Sequence, residues 1–152
     1  MKNSSILCLV LVPLLSLCTS TPKPGLISEN AMVVSAREEA SAIGIQILKK
    51  GGNAFDAMMA TELALAVAYP YAGNLGGGGF MVYRKNTGEI GTLDYREKAP
   101  QAASEHMFLD STGTVIKNKS TLGALAIGVP GTVAGVFEAQ KRFGTLAVKD
   151  IL

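Results

Sequence analysis

Arg96, set in Asp94-Tyr95-Arg96-Glu97, is the residue of this sequence best equipped for chemistry. A planar guanidinium takes a carboxylate through two parallel hydrogen bonds, so an arginine held beside orienting acids suits a small anionic substrate. The same acids, Asp94 and Glu97, would in the plainer reading only neutralise it. Upstream runs Asn74-Leu75-Gly76-Gly77-Gly78-Gly79-Phe80-Met81, with four consecutive glycines. A phosphate cradle would need Gly-Lys-Ser/Thr after the glycines, or a strand before them and a helix after. Here the order is reversed, which leaves close backbone packing or a bulge at a strand start. His106, flanked by Glu105 and Met107, reads as a surface residue rather than a base. Glu38, Glu39 and Asp56 read as acids in first helical turns, where they favour the helix dipole. With one histidine and two cysteines, Cys8 and Cys18, a His/Cys metal site or a Ser-His-Asp relay has almost no parts. Neither a metal nor a cofactor is expected.

The elements that must position Arg96 follow from patterning. Phe80-Met81-Val82-Tyr83 and Ile90-Gly91-Thr92-Leu93 read as two strands joined by Lys85-Asn86-Thr87-Gly88-Glu89, a hairpin that places Arg96 just past a strand end. Before it, Met32-Val33-Val34 reads as a short strand, and Ser35-Ala36-Arg37-Glu38 has the spacing of a capping box. The helix that starts there carries Ala36, Ala40, Ile43 and Ile47 on one face and stops at Gly51-Gly52. Asn53, with Asp56 three residues on, caps a second helix that is apolar nearly all round over residues 57–69, so it should be covered on most sides, until Pro70 ends it. Ser104 suggests a short helix through Leu109, Asp110-Ser111-Thr112-Gly113 a turn, and residues 117–121 a polar connection. Pro130-Gly131 opens a last helix with Val133, Val136, Phe137 and Gln140 on one side, stopping at Gly144.

The 152 residues are 48% hydrophobic and 17% charged, which suits one globular domain or part of a larger one. The net charge is +2 and the 14 basic residues are dispersed, so no nucleic-acid-binding stripe is built. Residues 1–20 read as an export signal, with Lys2, an apolar run over 6–17 and small residues to Ser20. Residues 21–31 would then be a flexible leader and 32–152 the folded portion. The expected location is periplasmic or secreted, with a lipid anchor on Cys18 as the alternative, and no disulfide stabilises the mature chain. The final Ile151-Leu152, apolar and without a polar tail, reads as an interruption rather than a natural terminus.

From about Met32 onward the sequence resembles the start of the large subunit of the gamma-glutamyltransferase family, also called glutathione hydrolases. Four blocks carry the resemblance in order: Gly51-Gly52-Asn53-Ala54-Phe55-Asp56-Ala57, Tyr69-Pro70-Tyr71-Ala72-Gly73-Asn74-Leu75-Gly76-Gly77-Gly78-Gly79-Phe80-Met81, Asp94-Tyr95-Arg96-Glu97-Lys98-Ala99-Pro100, and Gly128-Val129-Pro130-Gly131-Thr132-Val133-Ala134-Gly135. Tyr69 stands where histidine is common in the family and Tyr95 where phenylalanine is common. The resemblance implies an α+β chain, a portion of the αββα sandwich of N-terminal-nucleophile hydrolases. It implies an exported proenzyme that cuts itself before a threonine, which then attacks the gamma-glutamyl amide of glutathione and passes the acyl group to water or to an amino acid or peptide amine. Arg96 matches the arginine that holds the alpha-carboxylate of the glutamyl group. The nucleophile's Thr-Thr-His setting belongs to the small subunit and does not occur in this sequence, so no catalytic residue is assigned here and the chain alone should be inactive. A related acylase of beta-lactam side chains, and a non-catalytic exported protein that holds an anion on Arg96, stay open as alternatives.

Overall fold

The structure, a computed structural model, describes residues 25–152. The expected export signal and the first residues of the leader lie outside the described residues. The chain divides into a unit of residues 1–30, of which the described part is irregular, and a unit Ala31–Leu152, which holds every element below.

Met32-Val33-Val34 belongs to no strand among the described residues, so the expected strand is not formed there. Val33 instead packs on the core through its side chain. Helix α1, Glu38–Lys49, begins two residues later than the sequence suggests, with Arg37 at its N-cap, Ala36 outside it and no capping box. The Ser35 hydroxyl is engaged elsewhere, donating to the Arg37 carbonyl at 2.7 Å and lying 2.8 Å from the Ser41 hydroxyl. The helix ends in a Schellman motif: Gly51 N–H bonds the Leu48 carbonyl, Gly52 N–H bonds the Ile47 carbonyl, and Gly51 takes φ +92°. Its buried face is Ala40, Gly44 and Ile47, one step round from the expected stripe, and Ile43 is exposed. Gly44 sets this rotation. A Cβ there would overlap the Thr61 hydroxyl and come within 2.9 Å of Val33, so only glycine lets α1 lie so close to the next helix.

Helix α2, Ala54–Ala68, does carry its capping box: Asn53 accepts from the amides of Phe55 and Asp56, and Asp56 accepts from the Asn53 amide. Its buried residues, Asp56, Ala57, Met59, Ala60 and Thr61, lie in its first half. Its second half is only partly covered, with Val67 exposed, so the expected all-round burial holds for the N-terminal turns alone. The guanidinium of Arg37 lies 5.4 Å from the Tyr69 ring centroid and donates to the Ala68 carbonyl, which ties the start of α1 to the end of α2.

Strands β1, Phe80–Arg84, and β2, Ile90–Asp94, pair antiparallel from Phe80↔Asp94 to Arg84↔Ile90, closed by the Lys85–Glu89 loop with Gly88 at φ +89°. Met81 is buried while Phe80 and Val82 face out. A 3-10 turn, Ala124–Ala126, precedes helix α3, Thr132–Phe143, and a last short helix α4, Val148–Ile151, follows. On α3 the buried residues are Thr132, Gly135, Val136, Ala139 and Gln140; Val133 and Phe137, expected inside, are exposed because the two small residues Gly135 and Ala139 turn the other edge of the helix inward. The stretch after Ser104 forms successive turns, not the expected helix: Met107 N–H bonds Ser104 and Leu109 N–H bonds His106, after which Leu109 bridges to Val115. The expected turn at Asp110 is present, its carboxylate accepting from Thr112 and Thr114.

The core joins Ile47, Ala57, Met59, Ala60, Val136 and Ile151. Two further devices bind its edges. Phe55, Tyr83 and Phe143 stack with centroids 4.7 to 5.7 Å apart, linking α2, β1 and α3. The carboxylate of Asp56, fully buried, accepts from Asn53 N–H at 2.9 Å, from the Thr145 hydroxyl at 2.7 Å and from the amides of Thr145 and Leu146. What reads in sequence as a first-turn acid therefore also clamps the start of α2 to the chain leaving α3.

Candidate functional site

The two motifs that stand apart in sequence are in contact. Beyond the last regular pair of the hairpin, Tyr95 N–H donates to the Gly79 carbonyl at 3.0 Å and Gly79 N–H donates back at 3.4 Å. The ladder thus runs on into the tetraglycine. A Cβ on Gly78 would lie 2.6 Å from the Glu97 nitrogen and 2.7 Å from the Tyr95 oxygen, and one on Gly79 would lie 2.7 Å from the Tyr95 ring. These glycines serve close packing, not a phosphate.

The opposite side is closed by α3. Gly131 abuts the Tyr95 carbonyl and Gly135 abuts the Tyr95 ring, so closely that a Cβ on either would overlap it. The Gly77 carbonyl accepts from the amides of Gly131, at 2.8 Å, and Thr132, at 3.1 Å, satisfying donors that the start of α3 would leave orphaned. Lys98 and Val129 exchange backbone hydrogen bonds at 3.1 and 2.8 Å. The segment 95–98 is therefore held on both flanks by backbone.

Arg96 stands exposed on this fixed segment, just past the end of β2 as expected. Its backbone amide donates to Asp94 Oδ1 at 2.9 Å. Asp94 thus fixes the main chain of the arginine, while Glu97 turns toward Gly77 and Gly128. Among the described residues neither acid forms an ion pair with the guanidinium. Arg96 borders two open clefts. One, of about 410 Å³, is shared with Asp94, Lys98, Pro130, Ala134 and Glu138. The other, of about 480 Å³, is shared with Pro100, Met107, Phe108 and Ile127. Burial together with the Glu62 carboxylate pushes the phenol of Tyr95, which lines the first cleft, above its ordinary value, so it stays neutral there.

His106 is exposed and lies 3.1 Å from its neighbour Glu105, the setting of a surface residue. No group of three or more His, Cys, Asp or Glu residues among those described is placed to hold a metal. The arrangement around Arg96 can bind and orient a carboxylate. Sequence reasoning missed the part played by Tyr95, Gly131 and Gly135; the i, i+4 spacing of the two glycines on one helix face was the available signal.

The family model described as Gamma-glutamyltranspeptidase matches residues 40–152. A glutathione hydrolase proenzyme of Pseudomonas sp. (strain A14) is 55% identical over 125 residues, which cover 82% of this chain and 22% of that protein. The glutathione hydrolase proenzyme of Escherichia coli (strain K12) is 46% identical over a stretch that again covers 82% and 22%. Among solved structures, the gamma-glutamyltranspeptidase of Helicobacter pylori superposes with a TM-score of 0.79 at 46% identity, covering 84% of this chain and 37% of that one. This chain therefore spans about a fifth of the length of such curated relatives. The α+β architecture described above is accordingly a portion of the N-terminal-nucleophile hydrolase sandwich.

Proposed function

The chain belongs to the gamma-glutamyltranspeptidase family, and from that premise we propose that it is the N-terminal portion of the large subunit of an exported glutathione hydrolase, supplying the residue that holds the donor's alpha-carboxylate. The observation that carries this reading is Arg96: a guanidinium without an acid partner among the described residues, on a main chain fixed from both flanks, at the border of two clefts. A fork of donors on a rigid root suits a planar carboxylate and fixes where the rest of the substrate lies. The identities of 55% and 46% to glutathione hydrolase proenzymes favour a gamma-glutamyl amide over a beta-lactam side chain.

In the full-length precursor, self-cleavage frees a threonine at the start of a small subunit. Its amine takes the proton of its own hydroxyl as the oxygen attacks the gamma carbonyl. The carbon–nitrogen bond of the amide then breaks, and the departing amine receives that proton. Water, or the amine of an amino acid or peptide, attacks the resulting ester, giving hydrolysis or transfer. Arg96 takes no part in bond making; it binds and orients. The export signal over residues 1–20 directs the precursor to the periplasm or outside the cell, and a lipid on Cys18 is the alternative fate of that segment.

The test is Arg96→Lys in the full-length precursor. Lysine keeps the charge and loses the fork. At the low end of the about 2–5 kcal/mol cost of truncating a hydrogen-bonded charge pair, KM for glutathione rises about thirtyfold, with self-cleavage intact. Unchanged KM would remove Arg96 from the site.

A further inference from the structure

An exposed arginine at a strand end carries many rotamers, and its value to a substrate depends on what fixes its root. The residue before it supplies that. The Tyr95 ring is closed in by Gly79, whose Cβ would lie 2.7 Å from ring carbon Cε2, and by Gly135, where a Cβ would overlap ring carbon Cγ. Both main-chain polar groups of Tyr95 are bonded to Gly79. In an extended chain successive side chains point to opposite sides, and burial follows that alternation here: Leu93 and Tyr95 are partly buried, Asp94 and Arg96 exposed. Holding the ring inward therefore sends the Arg96 side chain outward. A one-residue slip would reverse both.

We propose that Tyr95 is a positioning residue for Arg96: a wedge between Gly79 and Gly135 that sets the direction from which the guanidinium meets the substrate carboxylate. This rests on the reading of Arg96 given above. The ring rather than the hydroxyl carries the wedge: the contacts with Gly135 are to Cβ, Cγ and Cδ1, and at Gly79 ring carbon Cε2 lies nearer, at 2.7 Å, than the hydroxyl, at 3.0 Å. The flat ring is. A leucine or methionine at 95 fills volume but does not fit a slot shaped by two glycines, and leaves the following residue free to turn.

The experiment uses the full-length precursor and glutathione as donor, with Tyr95→Leu and Tyr95→Phe made alone and together with Arg96→Lys. The expected result is a KM about tenfold higher for Tyr95→Leu, with kcat nearly unchanged and self-cleavage retained. Tyr95→Phe restores KM to within about twofold of the parent. In the Arg96→Lys background, Tyr95→Leu adds no more than about twofold, because both changes act through one contact. Should Tyr95→Leu fail to self-cleave, Tyr95→Met takes its place, as a flexible side chain of similar volume. The proposal is overturned if the Tyr95 substitution multiplies KM equally in both backgrounds, which is a structural effect only. It is also overturned if KM stays at the parent value while Arg96→Lys raises it. If Arg96→Lys itself leaves KM unchanged, the assignment of Arg96 fails first and the wedge with it.

Discussion

Asp56→Ala in the full-length precursor should be among the most destabilising single changes in this region, although the residue reads in sequence as an ordinary first-turn acid. The carboxylate is fully buried and accepts from Asn53 N–H, Thr145 N–H, the Thr145 hydroxyl and Leu146 N–H, at 2.7 to 3.3 Å. Removing it opens the Asp56 half of the capping box, while the Asn53 side chain still accepts from the amides of Phe55 and residue 56. The amides of Asn53 and Leu146 are each partly buried, and leaving them without an acceptor costs about 1 kcal/mol apiece at the low end of the usual range. Thr145 is exposed and turns to water. The loss is therefore about 2 kcal/mol, above the usual effect of one substitution. Asp56→Asn keeps an acceptor at the better-used oxygen and should cost about 1 kcal/mol, mainly through the lost charge assistance. Equilibrium urea unfolding followed by circular dichroism measures both. Asp110→Ala is the control, because Asp110 accepts from Thr112 and Thr114 but its carboxylate is open to water, which replaces the lost acceptor. If Asp110→Ala costs as much as Asp56→Ala, burial of the junction is not what gives Asp56 its weight.

The same carboxylate makes stability depend on acid. Burial pushes Asp56 up, but the hydrogen bonds from Asn53, Thr145 and Leu146 outweigh it and hold it below its ordinary value of 3.8. A lowered folded value contributes stability above the ordinary carboxylate range and loses it as pH falls through the folded value, so the advantage of the parent over Asp56→Asn should shrink steadily in melts taken from neutral to strongly acidic pH. Gly44→Ala should destabilise by about 1 kcal/mol or more despite alanine's better helix propensity, because its methyl meets the Thr61 hydroxyl, itself bonded to the Ala57 carbonyl at 2.7 Å. Adding Thr61→Ala should recover part of that loss, and purely additive unfolding energies would refute the contact. Mass measurement of the exported mature protein should show an N-terminus at residue 21, whereas a diacylated Cys18 would establish the lipid anchor instead. The 152-residue chain alone should release no glutamate from glutathione in a coupled assay, and measurable turnover would place a nucleophile within it.

Local chemistry was legible in the sequence because local rules decide it. Asn53 with Asp56 forms its capping box, Gly51-Gly52 forms a Schellman stop, Gly88 turns the hairpin, and Arg96 stands past a strand end as its spacing dictates. The family blocks, read in order, likewise established the kinship of the chain with gamma-glutamyltranspeptidases. Elements whose fate depends on a partner were not legible. Met32-Val33-Val34 has strand chemistry but no neighbouring strand among the described residues, and the Ser35 hydroxyl was drawn to Ser41 and Arg37 instead of a cap.

Which face of a helix is buried was decided only in three dimensions. Hydrophobicity alone favoured Ile43, Val133 and Phe137, yet close approach favoured Gly44 and Gly135, since a helix that must touch another backbone turns its smallest residues toward it. Sequence already set the tetraglycine and Arg96 at the two ends of one hairpin. Only the tertiary structure joined them through Tyr95, because a ring held between two glycines requires residues 79, 95 and 135 to meet in space, and no spacing along one chain states that.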